Sequence, residues 1–568
     1  MQMTTNSKLC VDAVFTRPVN WESINWSHHE VVVKKLQVRI AKAMQVGNQR
    51  SVKALQWLLT HSFSAKLLAV RKVTQNKGKN TPGVDGIILS KPEQKAALVK
   101  DLNRRNYKPL PLRRIYIPKS NGKKRPLGIP TMKDRAMQAL HASALIPIAE
   151  VTADAGSYGF RPEYSTADAI QHLFNVLARR DAPQWILEGD IKGCFDHISH
   201  QWMLDNICTD QQVLEKWLKA GFIETRKLFP TEEGTPQGGI VSPTLCNMVL
   251  DGLEKILRKK YGIKRGIHYV RYADDFVVTG RSKELLENEI RPLIANFLKE
   301  RGLELSPEKT KVTCITEGFD FLGQNIRKYS CGKNRLKLLT KPSNKNVQTF
   351  KDNIRRIFQK TGSLDQTALI HLLNPKIRGW ANYHRSVVAK NIFNKIDNML
   401  WHQTWWWSKR RHPTKGNRWI HRKYYCRIQL RNHCFSGMEM QKDGKQRRVT
   451  LLKMADTPIR RHTKIRKQAH LFDPKYDEYF EIRTSQKWRQ SSKRSMVASQ
   501  LSLQQGVCPC CGEKITIDQQ WRLHLLVRAS QGGQYTMNNI CIIHPACHKK
   551  GFEKGFVYVL PVTSTRCN

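Results

Sequence analysis

Two adjacent aspartates, Asp274 and Asp275, lie between β-forming residues in the stretch YVRYADDFVVTG, residues 269–280. Two carboxylates side by side in an apolar setting repel each other and lose solvation, so the pair needs a compensating charge. The alternative is a plain turn motif, because aspartate favours turns between strands. A second acidic stretch upstream favours chemistry over the plain turn.

The stretch WILEGDIKGCFDHI, residues 185–198, predicts an apolar strand that ends at Asp190, followed by a glycine-containing turn and a helix. Brought beside Asp274 and Asp275, Asp190 would complete a cluster of three carboxylates. Three clustered acids cannot all stay ionised without cations, and hard oxygen ligands favour Mg²⁺. Two such ions about 3.5–4 Å apart are the arrangement that polymerases use for in-line phosphoryl displacement. We therefore expect metal, rather than a salt bridge, to compensate the aspartates.

The charge of the whole chain indicates the class of its partner. Its 568 residues include 97 Lys and Arg against 46 Asp and Glu, which gives a formal net charge of +51. An excess of this size is self-repelling unless a polyanion neutralises it. We expect a nucleic-acid partner, with an anionic membrane surface as the alternative.

Three features of the sequence predict where the protein works. No segment approaches the roughly 18 to 20 consecutive apolar residues that a membrane span needs. The first residues, MQMTTNSKLCVDAVFTRPVNWE, lack the basic-then-apolar layout of a secretory signal. The 14 cysteines are scattered apart from a cluster between Cys508 and Cys547, unlike a disulfide framework. We expect a reduced, cytoplasmic protein of several domains with no membrane partner.

The elements that must position the aspartates follow from local patterns. Residues 30–75 carry apolar residues at helical spacing with Lys and Arg between them, which predicts basic amphipathic helices. Residues 110–130 predict a β-hairpin whose turn is Asn121-Gly122. From there to about residue 330, short β-rich runs alternate with helical ones, as in a mixed α/β domain. Residues 345–400 are predicted to be helical and amphipathic.

Residues 401–500 differ in composition from what precedes them, with 25 Lys and Arg against seven Asp and Glu. They include the run Trp405-Trp406-Trp407. Basic residues interleaved with aromatic ones suit phosphate contact and base stacking. For the tryptophans, a helical core beneath a solvated basic face remains an equal alternative.

Two cysteine–histidine pairs lie near the end of the chain. Cys508 and Cys511 are separated by two residues, as are His544 and Cys547. Two ligand pairs some 30 residues apart predict a closed tetrahedral zinc site, which would hold together a unit too small for much core. Cys510 and Cys541 are rival ligands, and reduced cysteines without metal are the remaining alternative.

Seven stretches, read in chain order, carry a resemblance to a known family. DIKGCFDHI, TPQGGIVSP and RYADDFVV are similar to the palm motifs of reverse transcriptases. The other four are IPKSNGKKRPLGIPTMKDR (117–135), SYGFRP (157–162), GLELSPEKTKV (302–312) and FDFLG (319–323). Together they resemble the successive blocks of bacterial group II intron-encoded reverse transcriptases, and RGWANYH (378–384) resembles that family's thumb and maturase region.

The resemblance implies roles for the three aspartates and their neighbour. Asp190 and Asp274 would bind both metal ions, Asp275 would complete the site, and the carbonyl of Ile191 would assist. Intact palm residues of this kind are typical of an active polymerase.

Nucleotide contacts are implied in the same way. Phe195 would stack under the incoming sugar and exclude a 2′-hydroxyl, which favours dNTPs, or else be an ordinary core phenylalanine. Lys119 and Arg125, on the hairpin, would bind the triphosphate as cationic partners. Gln237 would contact the nucleotide or the template.

The residues between the two zinc-ligand pairs resemble the HNH endonuclease module found at the C-terminus of many group II intron proteins. The chain keeps His524, the SQGG of residues 530–533, Asn539 and His548.

Three positions depart from the HNH pattern. Arg522 replaces the glutamate, Leu525 replaces the histidine expected as general base, and Phe552 replaces the last histidine, an expected metal ligand. Leucine cannot accept a proton, and phenylalanine cannot coordinate a metal. We expect a folded zinc module that binds DNA with its nuclease activity lost, and an active endonuclease is the alternative.

The resemblance spans roughly residues 20–430 and continues into the tail. It implies a multidomain α/β right-hand polymerase, an α-helical thumb, a basic segment and a small zinc-stapled ββα-metal module. The implied units are a basic helical N-terminal extension (1–85), fingers and palm (86–340), a thumb or maturase domain (341–440), a basic DNA-binding segment (441–500) and an HNH-like zinc module (501–568).

The implied function is a reverse transcriptase and maturase that uses two Mg²⁺ ions and one structural Zn²⁺. It would bind its group II intron RNA, assist splicing, and copy the intron from dNTPs into target DNA during retrohoming. One alternative is a non-enzymatic splicing factor with a vestigial polymerase. Another is a reverse transcriptase that serves a different element, such as a retron, although a minimal polymerase needs neither the thumb region nor the tail.

Overall fold

The computed structural model describes residues 20–118, 122, 124–225, 227–262, 266–332, 335–441, 444–489, 494–515 and 520–554. Within these ranges no helix is both long enough and apolar enough to cross a membrane.

Helices form the N-terminal part, as predicted for residues 30–75. They are α1 (Trp26–Gln45), α2 (Gln49–His61), α3 (Phe63–Gln75) and α4 (Pro92–Asp101). The side chains of Asn25 and Asn48 cap α1 and α2 by accepting hydrogen bonds from the backbone N–H groups of His28 and Ser51. The apolar faces of the first three helices pack against a long helix that follows the predicted hairpin.

That hairpin is confirmed, and two helices come after it. The elements are β1 (Leu112–Pro118), β2 (Lys124–Ile129), α5 (Met132–Thr152) and α6 (Thr166–Leu177). The strands pair antiparallel from Arg113 opposite Ile129 to Pro118 opposite Lys124. Gly122, in the predicted turn, has a φ of 78°. Most of α5 is buried, so this helix is the centre of the largest hydrophobic core.

The next segment adds a strand and several short elements. They are β3 (Trp185–Asp190), α7 (His200–Asn206), α8 (Gln211–Leu218), β4 (Phe222–Glu224), β5 (Lys227–Phe229), α9 (Ser242–Leu250) and α10 (Leu253–Tyr261). The predicted strand end at Asp190 is confirmed. Strand β4 runs parallel to β1, which gives a four-stranded sheet of order β2-β1-β4-β5.

A second four-stranded sheet holds the acidic residues. Its remaining strands are β6 (Tyr269–Tyr272), β7 (Asp275–Gly280) and β8 (Lys311–Cys314), and a π-helical turn (Leu285–Ile290) leads into α11 (Arg291–Lys299) between β7 and β8. The strand order is β6-β7-β3-β8, with every pair antiparallel. The chain reaches this sheet from three separate segments, so its register brings together residues far apart in sequence.

A three-stranded sheet and four helices come next. They are β9 (Phe319–Phe321), β10 (Gln324–Ser330), β11 (Leu336–Pro342), α12 (Asn344–Lys360), α13 (Gln366–His384), α14 (Lys390–Arg411) and α15 (Asn417–Tyr424). The helical prediction for residues 345–400 is confirmed. Ile354, Leu373 and Ile396 lie on the buried faces of α12, α13 and α14 within a second core.

The basic region after α15 contains a sheet that the sequence did not predict. It consists of β12 (Tyr425–Ile428), β13 (Arg431–Met440) and β14 (Gln446–Thr450), in that order and antiparallel. The proposed boundary between residues 440 and 441 falls inside the β13–β14 hairpin. The proposed boundary therefore cuts through a single sheet.

The structure supports both interpretations of the tryptophan run. Trp407 is 2% exposed and packs in the second core, whereas Trp406 is 53% exposed. Successive helical residues point about 100° apart, so one face of α14 is core and the next is open to a partner.

The last elements form a ββα arrangement supported by two preceding helices. They are α16 (Asp477–Arg489), α17 (Arg494–Leu503), β15 (Arg522–Leu525), β16 (Ile540–Ile543) and α18 (Pro545–Lys554). Their core includes Trp488 and Val497 together with Trp521, Leu523 and Ile542. Because two of these residues precede residue 501, the packed C-terminal unit begins earlier than the boundary proposed from the sequence.

Candidate active site

Three aspartates converge at one edge of the β6-β7-β3-β8 sheet. The register of β3 and β7 places Asp190 directly opposite Asp275. Asp274 lies in the tight turn between β6 and β7, after Ala273, whose φ is 58°. The structure therefore brings together the three residues that the sequence selected.

The carboxyl groups in this cluster disfavour one another's ionisation. Partial burial, followed by the charges of Asp274 and Asp190, raises the pKa of Asp275 to about 6. Burial is also the main cause that raises the pKa of Asp274, and Asp190 adds to it. Carboxylates crowded in this way favour a bound cation.

A lysine supplies one positive charge. Lys309 Nζ lies 2.8 Å from Asp190 Oδ2, and its hydrogen bond to Asp190 is the largest cause that raises the pKa of Lys309. This salt bridge reaches one of the three aspartates, which was not expected, and compensation of the cluster by metal stays a prediction. Lys309 stands in the GLELSPEKTKV block but carried no signal of its own, because its position depends on long-range pairing. The N–H of Ser306 donates to the Asp190 carbonyl at 2.8 Å, which fixes this segment beside β3.

A buried arginine supports the turn that carries Asp274. Arg271 is 0% exposed, and its Nη2 donates to Asp251 Oδ1 at 2.6 Å. Its Nη1 donates to Asn247 Oδ1 at 2.9 Å and to the Ala273 carbonyl at 3.3 Å. Burial alone would lower the pKa of Arg271, but Asp251 is the largest cause that raises it. Arg271 carried no sequence signal as a positioning residue, because its contacts come from separate segments of the chain.

The loop of the SYGFRP block lies against the same turn. A Cβ on Gly159 would lie 2.3 Å from the backbone nitrogen of Ala273, so only glycine permits this approach. The next residue, Phe160, has a φ of 59° and an exposed ring. That ring packs edge-to-face on Phe195, with 6.4 Å between centroids. The sequence analysis did not single out Phe160.

Phe195 is 7% exposed and belongs to the largest core cluster. It lines a cavity of about 280 Å³ together with Asp196 and Gln237. The position fits the predicted contact with a sugar and also an ordinary core residue, so both interpretations remain.

Two residues predicted to contact the nucleotide, Arg125 and Gln237, are hydrogen-bonded to each other. Arg125 Nε donates to Gln237 Oε1 at 2.7 Å, and Gln237 Nε2 donates to the Asp196 carboxylate at 3.3 Å. The N–H of Gly128 donates to the Gln237 carbonyl at 2.8 Å, which joins β2 to the TPQGG loop. Lys119 lies outside the described residues.

Ile191, whose carbonyl was expected to assist the metal ions, directly follows Asp190. It is buried and pairs with Leu305 in an isolated antiparallel bridge. This bridge is a second contact that holds residues 305–309 beside the acidic cluster.

The predicted zinc ligands come together in the C-terminal unit. The ligand atoms of Cys508, Cys511, His544 and Cys547 all lie within 4.8 Å of one another. Cys511 Sγ is 3.3 Å from His544 Nδ1. Burial raises the pKa of Cys508, but backbone N–H groups, led by that of His544, outweigh it and lower the pKa to about 7. The rival ligands, Cys510 and Cys541, are not members of this group.

Two of the HNH-like histidines form a different cluster. Their partner is Glu481 on α16, whose Oε2 lies 3.1 Å from His524 Nδ1 and 3.0 Å from His548 Nε2. Nothing in the sequence singled out Glu481, because it lies outside the HNH-like stretch.

The other HNH-like position, Asn539, supports a loop. Its Oδ1 accepts from the N–H of Val527 at 2.8 Å, and its Nδ2 donates to the Val527 and Gln534 carbonyls. Leu525, at the general-base position, is fully buried in the core of the unit.

Three family profiles match successive parts of the chain. Residues 21–102 match the N-terminal domain of reverse transcriptase, and residues 117–326 match reverse transcriptase (RNA-dependent DNA polymerase). Residues 347–425 match the group II intron, maturase-specific domain. The second match contains the three aspartates, and the third contains α12 to α15.

Curated relatives agree with these matches. Group II intron-encoded protein LtrA of Lactococcus lactis subsp. cremoris is 30% identical over 428 residues, covering 58% of this chain and 69% of LtrA. Protein YkfC of Escherichia coli (strain K12) is 33% identical over 347 residues, covering 53% of this chain and 90% of YkfC. An uncharacterized 91 kDa protein in the cob intron of Schizosaccharomyces pombe is 29% identical over 412 residues, covering 58% of this chain and 50% of that protein.

Proposed function

This chain belongs to the family of group II intron-encoded reverse transcriptases and maturases, and on that premise we propose that Asp190, Asp274 and Asp275 are its polymerase metal ligands. The protein is an RNA-directed DNA polymerase and splicing maturase with an RNA partner. The observation that carries the site proposal is the register that sets Asp190 opposite Asp275, with Asp274 in the adjoining turn.

The donor set suits two divalent cations. All three ligands are hard carboxylate oxygens, and burial, with repulsion from Asp274 and Asp190, raises the pKa of Asp275, as expected where a cation belongs. Bound Mg²⁺ would supply Lewis-acid stabilisation of the reacting phosphate and of the attacking 3′-hydroxyl. The Lys309 ammonium lies 2.8 Å from Asp190 Oδ2 and would have to release that oxygen when it becomes a metal ligand.

The surrounding side chains orient the nucleotide. The guanidinium of Arg125, with Lys119 of the sequence block 117–135, binds triphosphate oxygens, because Arg and Lys supply charge-assisted hydrogen bonds to phosphate. Gln237 fixes the direction of Arg125 through their shared hydrogen bond and contacts the nucleotide or template. Phe195 lies beneath the sugar and excludes a 2′-hydroxyl, which selects dNTPs.

The RNA partner is proposed to be the chain's own intron RNA. The basic helices α1–α3, the thumb helices α12–α15 and the region 401–500 would contact its phosphates. Each neutralised phosphate lowers the cost of compacting the RNA, which is how the protein assists splicing. The RNA carries out cleavage and joining, and the polymerase then copies the intron into target DNA during retrohoming. These steps would take place in the cytoplasm.

The C-terminal unit is proposed to be a DNA-binding module with a structural zinc. Cys508, Cys511, His544 and Cys547 match the ligand set of a closed tetrahedral site. Loss of nuclease activity is supported by the leucine at position 525, which cannot act as a general base. The five-unit division given above remains part of this proposal, with the two structural differences noted at residues 440 and 501.

Primer extension on an RNA template tests the polymerase site. We expect purified protein with Mg²⁺ to extend a DNA primer and Asp274→Asn to abolish extension, because an amide cannot replace a charged metal ligand. The matched control is Asp205→Asn, an exposed aspartate of α7 that hydrogen-bonds only Gln201 among the described contacts. If wild-type protein promotes splicing but never extends a primer, the vestigial-polymerase interpretation holds and this proposal fails.

A further inference from the structure

One buried asparagine touches both loops that border the aspartate cluster. Asn247 lies on α9 and is 4% exposed. Its Oδ1 accepts a hydrogen bond from Arg271 Nη1 at 2.9 Å, and its Nδ2 donates to the carbonyl of Gly159 at 2.8 Å. Arg271 supports the turn that carries Asp274, and Gly159 directly precedes Phe160. A single side chain therefore contacts both segments.

The first contact reaches the turn through the guanidinium of Arg271. This group also donates to the carbonyls of Ala273 at 3.3 Å and Asn247 at 3.4 Å. Asp251, the residue that follows α9, accepts from its Nη2 at 2.6 Å. Acceptors on several sides fix the plane of the guanidinium, so the backbone directly before Asp274 is held against the end of α9.

The second contact fixes the end of the SYGFRP loop. The N–H of Tyr158 donates to the Arg271 carbonyl at 2.9 Å, so this part of the loop runs beside β6. Two residues later, Phe160 has a φ of 59°. A residue other than glycine keeps this conformation only where its surroundings enforce it. The hydrogen bond from Asn247 anchors the Gly159 carbonyl, directly before this strained position.

The two contacts together require a side-chain amide. The guanidinium of Arg271 only donates, whereas the carbonyl of Gly159 only accepts. Asparagine offers one acceptor and one donor group at the same branch point. Aspartate, which has the same shape, would set a carboxylate oxygen against the Gly159 carbonyl, and leucine would satisfy neither partner. Because both partners are buried, water cannot easily replace a lost contact.

Helix α9 is also connected to the TPQGG loop that precedes it. Its first residue, Ser242, accepts a hydrogen bond from Thr235 Oγ1 at 3.0 Å, and both side chains are buried. Gln237, which we propose as a contact of the nucleotide or template, lies between these two residues in sequence. The helix that carries Asn247 therefore connects three segments that border the site.

We propose that Asn247 is a positioning residue of the polymerase, which holds the metal-binding turn and the nucleotide side of the site in one fixed arrangement. It reaches the turn through Arg271. It reaches the nucleotide side through Gly159 and Phe160, whose ring packs edge-to-face on Phe195. The inference rests on the metal and nucleotide contacts proposed above, and Asn247 itself does not touch the substrate.

Two substitutions in the full-length protein separate the two contacts. Asn247→Ala removes both, whereas Asn247→Asp keeps an oxygen for Arg271 and loses only the donor to Gly159. The matched control is Asn175→Ala, an exposed asparagine of α6 that accepts a hydrogen bond from Gln171. Single-turnover primer extension, with each preparation normalised to its active fraction, measures the half-saturating concentrations of dNTP and of Mg²⁺.

We expect Asn247→Ala to raise both half-saturating concentrations by about 10-fold, because small displacements of positioned groups are costly. Asn247→Asp should raise the dNTP concentration by a similar factor and leave the Mg²⁺ concentration within about 2-fold of wild type. Asn175→Ala should change neither value.

A smaller active fraction of Asn247→Ala, with both half-saturating concentrations unchanged, would make Asn247 an ordinary core residue and overturn the proposal. If Asn247→Ala does not fold, Asn247→Asp decides through its dNTP concentration, since its side chain has the same shape. Wild-type protein that never extends a primer would refute the polymerase site and this inference with it. Normal wild-type extension with unaltered variants would refute the inference alone.

Discussion

The palm and the C-terminal unit each gather ionisable side chains, but they differ in access. Asp275 is exposed, and the Lys309 side chain beside Asp190 is 65% exposed, so ions and substrate can reach the palm cluster. Glu481, His524 and His548 are enclosed on every side. The aspartate cluster is therefore open to solvent, whereas the Glu481 cluster is closed to it.

The two regions also differ in the chemistry they retain. The palm keeps the three aspartates that we propose as metal ligands, together with a buried support in Arg271. In the C-terminal unit, Leu525 stands where the HNH resemblance implies a proton acceptor, and its side chain packs in the core. A buried leucine stabilises the unit where a histidine would have had to reach water.

The largest expected effect is the loss of primer extension in Asp190→Asn. Loss of a ligand to both ions should slow primer extension at least about 10³-fold, as when other key electrostatic groups are removed. Asp275→Asn should slow primer extension less, by about 10-fold, because this residue only completes the site. Single-turnover rates at saturating Mg²⁺ measure both. Equal losses would contradict the assigned hierarchy.

The second-largest expected effect concerns the hydrogen bonds that join α6 to the C-terminal region. Asp168 on α6 accepts hydrogen bonds from His462 and Arg483, both at 2.9 Å. Burial raises the pKa of Asp168, but the hydrogen bond and charge of His462, with Ser165 and Arg483, outweigh it and lower the pKa to about 2. Asp168→Asn leaves a buried arginine unpaired and should cost about 3 kcal/mol in the free energy of unfolding.

The direction of the Asp168 pKa shift determines how this effect depends on pH. The folded pKa lies below the unfolded value of about 3.9, so the ionised form stabilises the fold above pH 4. That contribution is lost as pH falls from about 4 to 2. Denaturant unfolding at pH 7, 4 and 3 should show the difference between wild type and variant shrinking. Asp181→Asn, from an exposed pair with Arg179, is the matched control, and an equal cost there would refute the account.

The smallest effect is expected from Phe195→Ala. Removing the ring opens space for a 2′-hydroxyl, so the ratio of rNTP to dNTP incorporation should rise about 10-fold. Competition between labelled nucleotides on one template measures this ratio. Phe160→Ala, which removes the exposed neighbouring ring, serves as the comparison. Unchanged exclusion of rNTPs in Phe195→Ala would leave Phe195 as a core residue only.

What the sequence predicted correctly was local. The strand end at Asp190, the hairpin and the helices of residues 30–75 each depend on a short window, as do the two pairs Cys508–Cys511 and His544–Cys547 that the fold brings together. Lys309 and Arg271 were missed because their roles depend on strand register and on packing between separate segments.

Glu481 and the β12–β14 sheet were missed for the same reason. Glu481 meets His548 across 67 residues, and its own neighbourhood reads as an ordinary polar helix face. The strands of the sheet are largely exposed and do not alternate regularly between buried and exposed residues, so their sequences lack the pattern that marks a strand. The sequence indicates which residues could take part in catalysis or metal binding, whereas the fold determines which of them lie close together.

The proposed contrast between a polymerase-active palm and a C-terminal unit that does not cleave DNA is tested most directly in one reaction. Purified ribonucleoprotein, Mg²⁺, dNTPs and a target duplex labelled on both strands would report cDNA synthesis and second-strand nicking together. We predict synthesis from a supplied DNA 3′-end that Asp274→Asn abolishes, and no nick in the second strand. Robust metal-dependent nicking that disappears in His548→Ala would contradict the account.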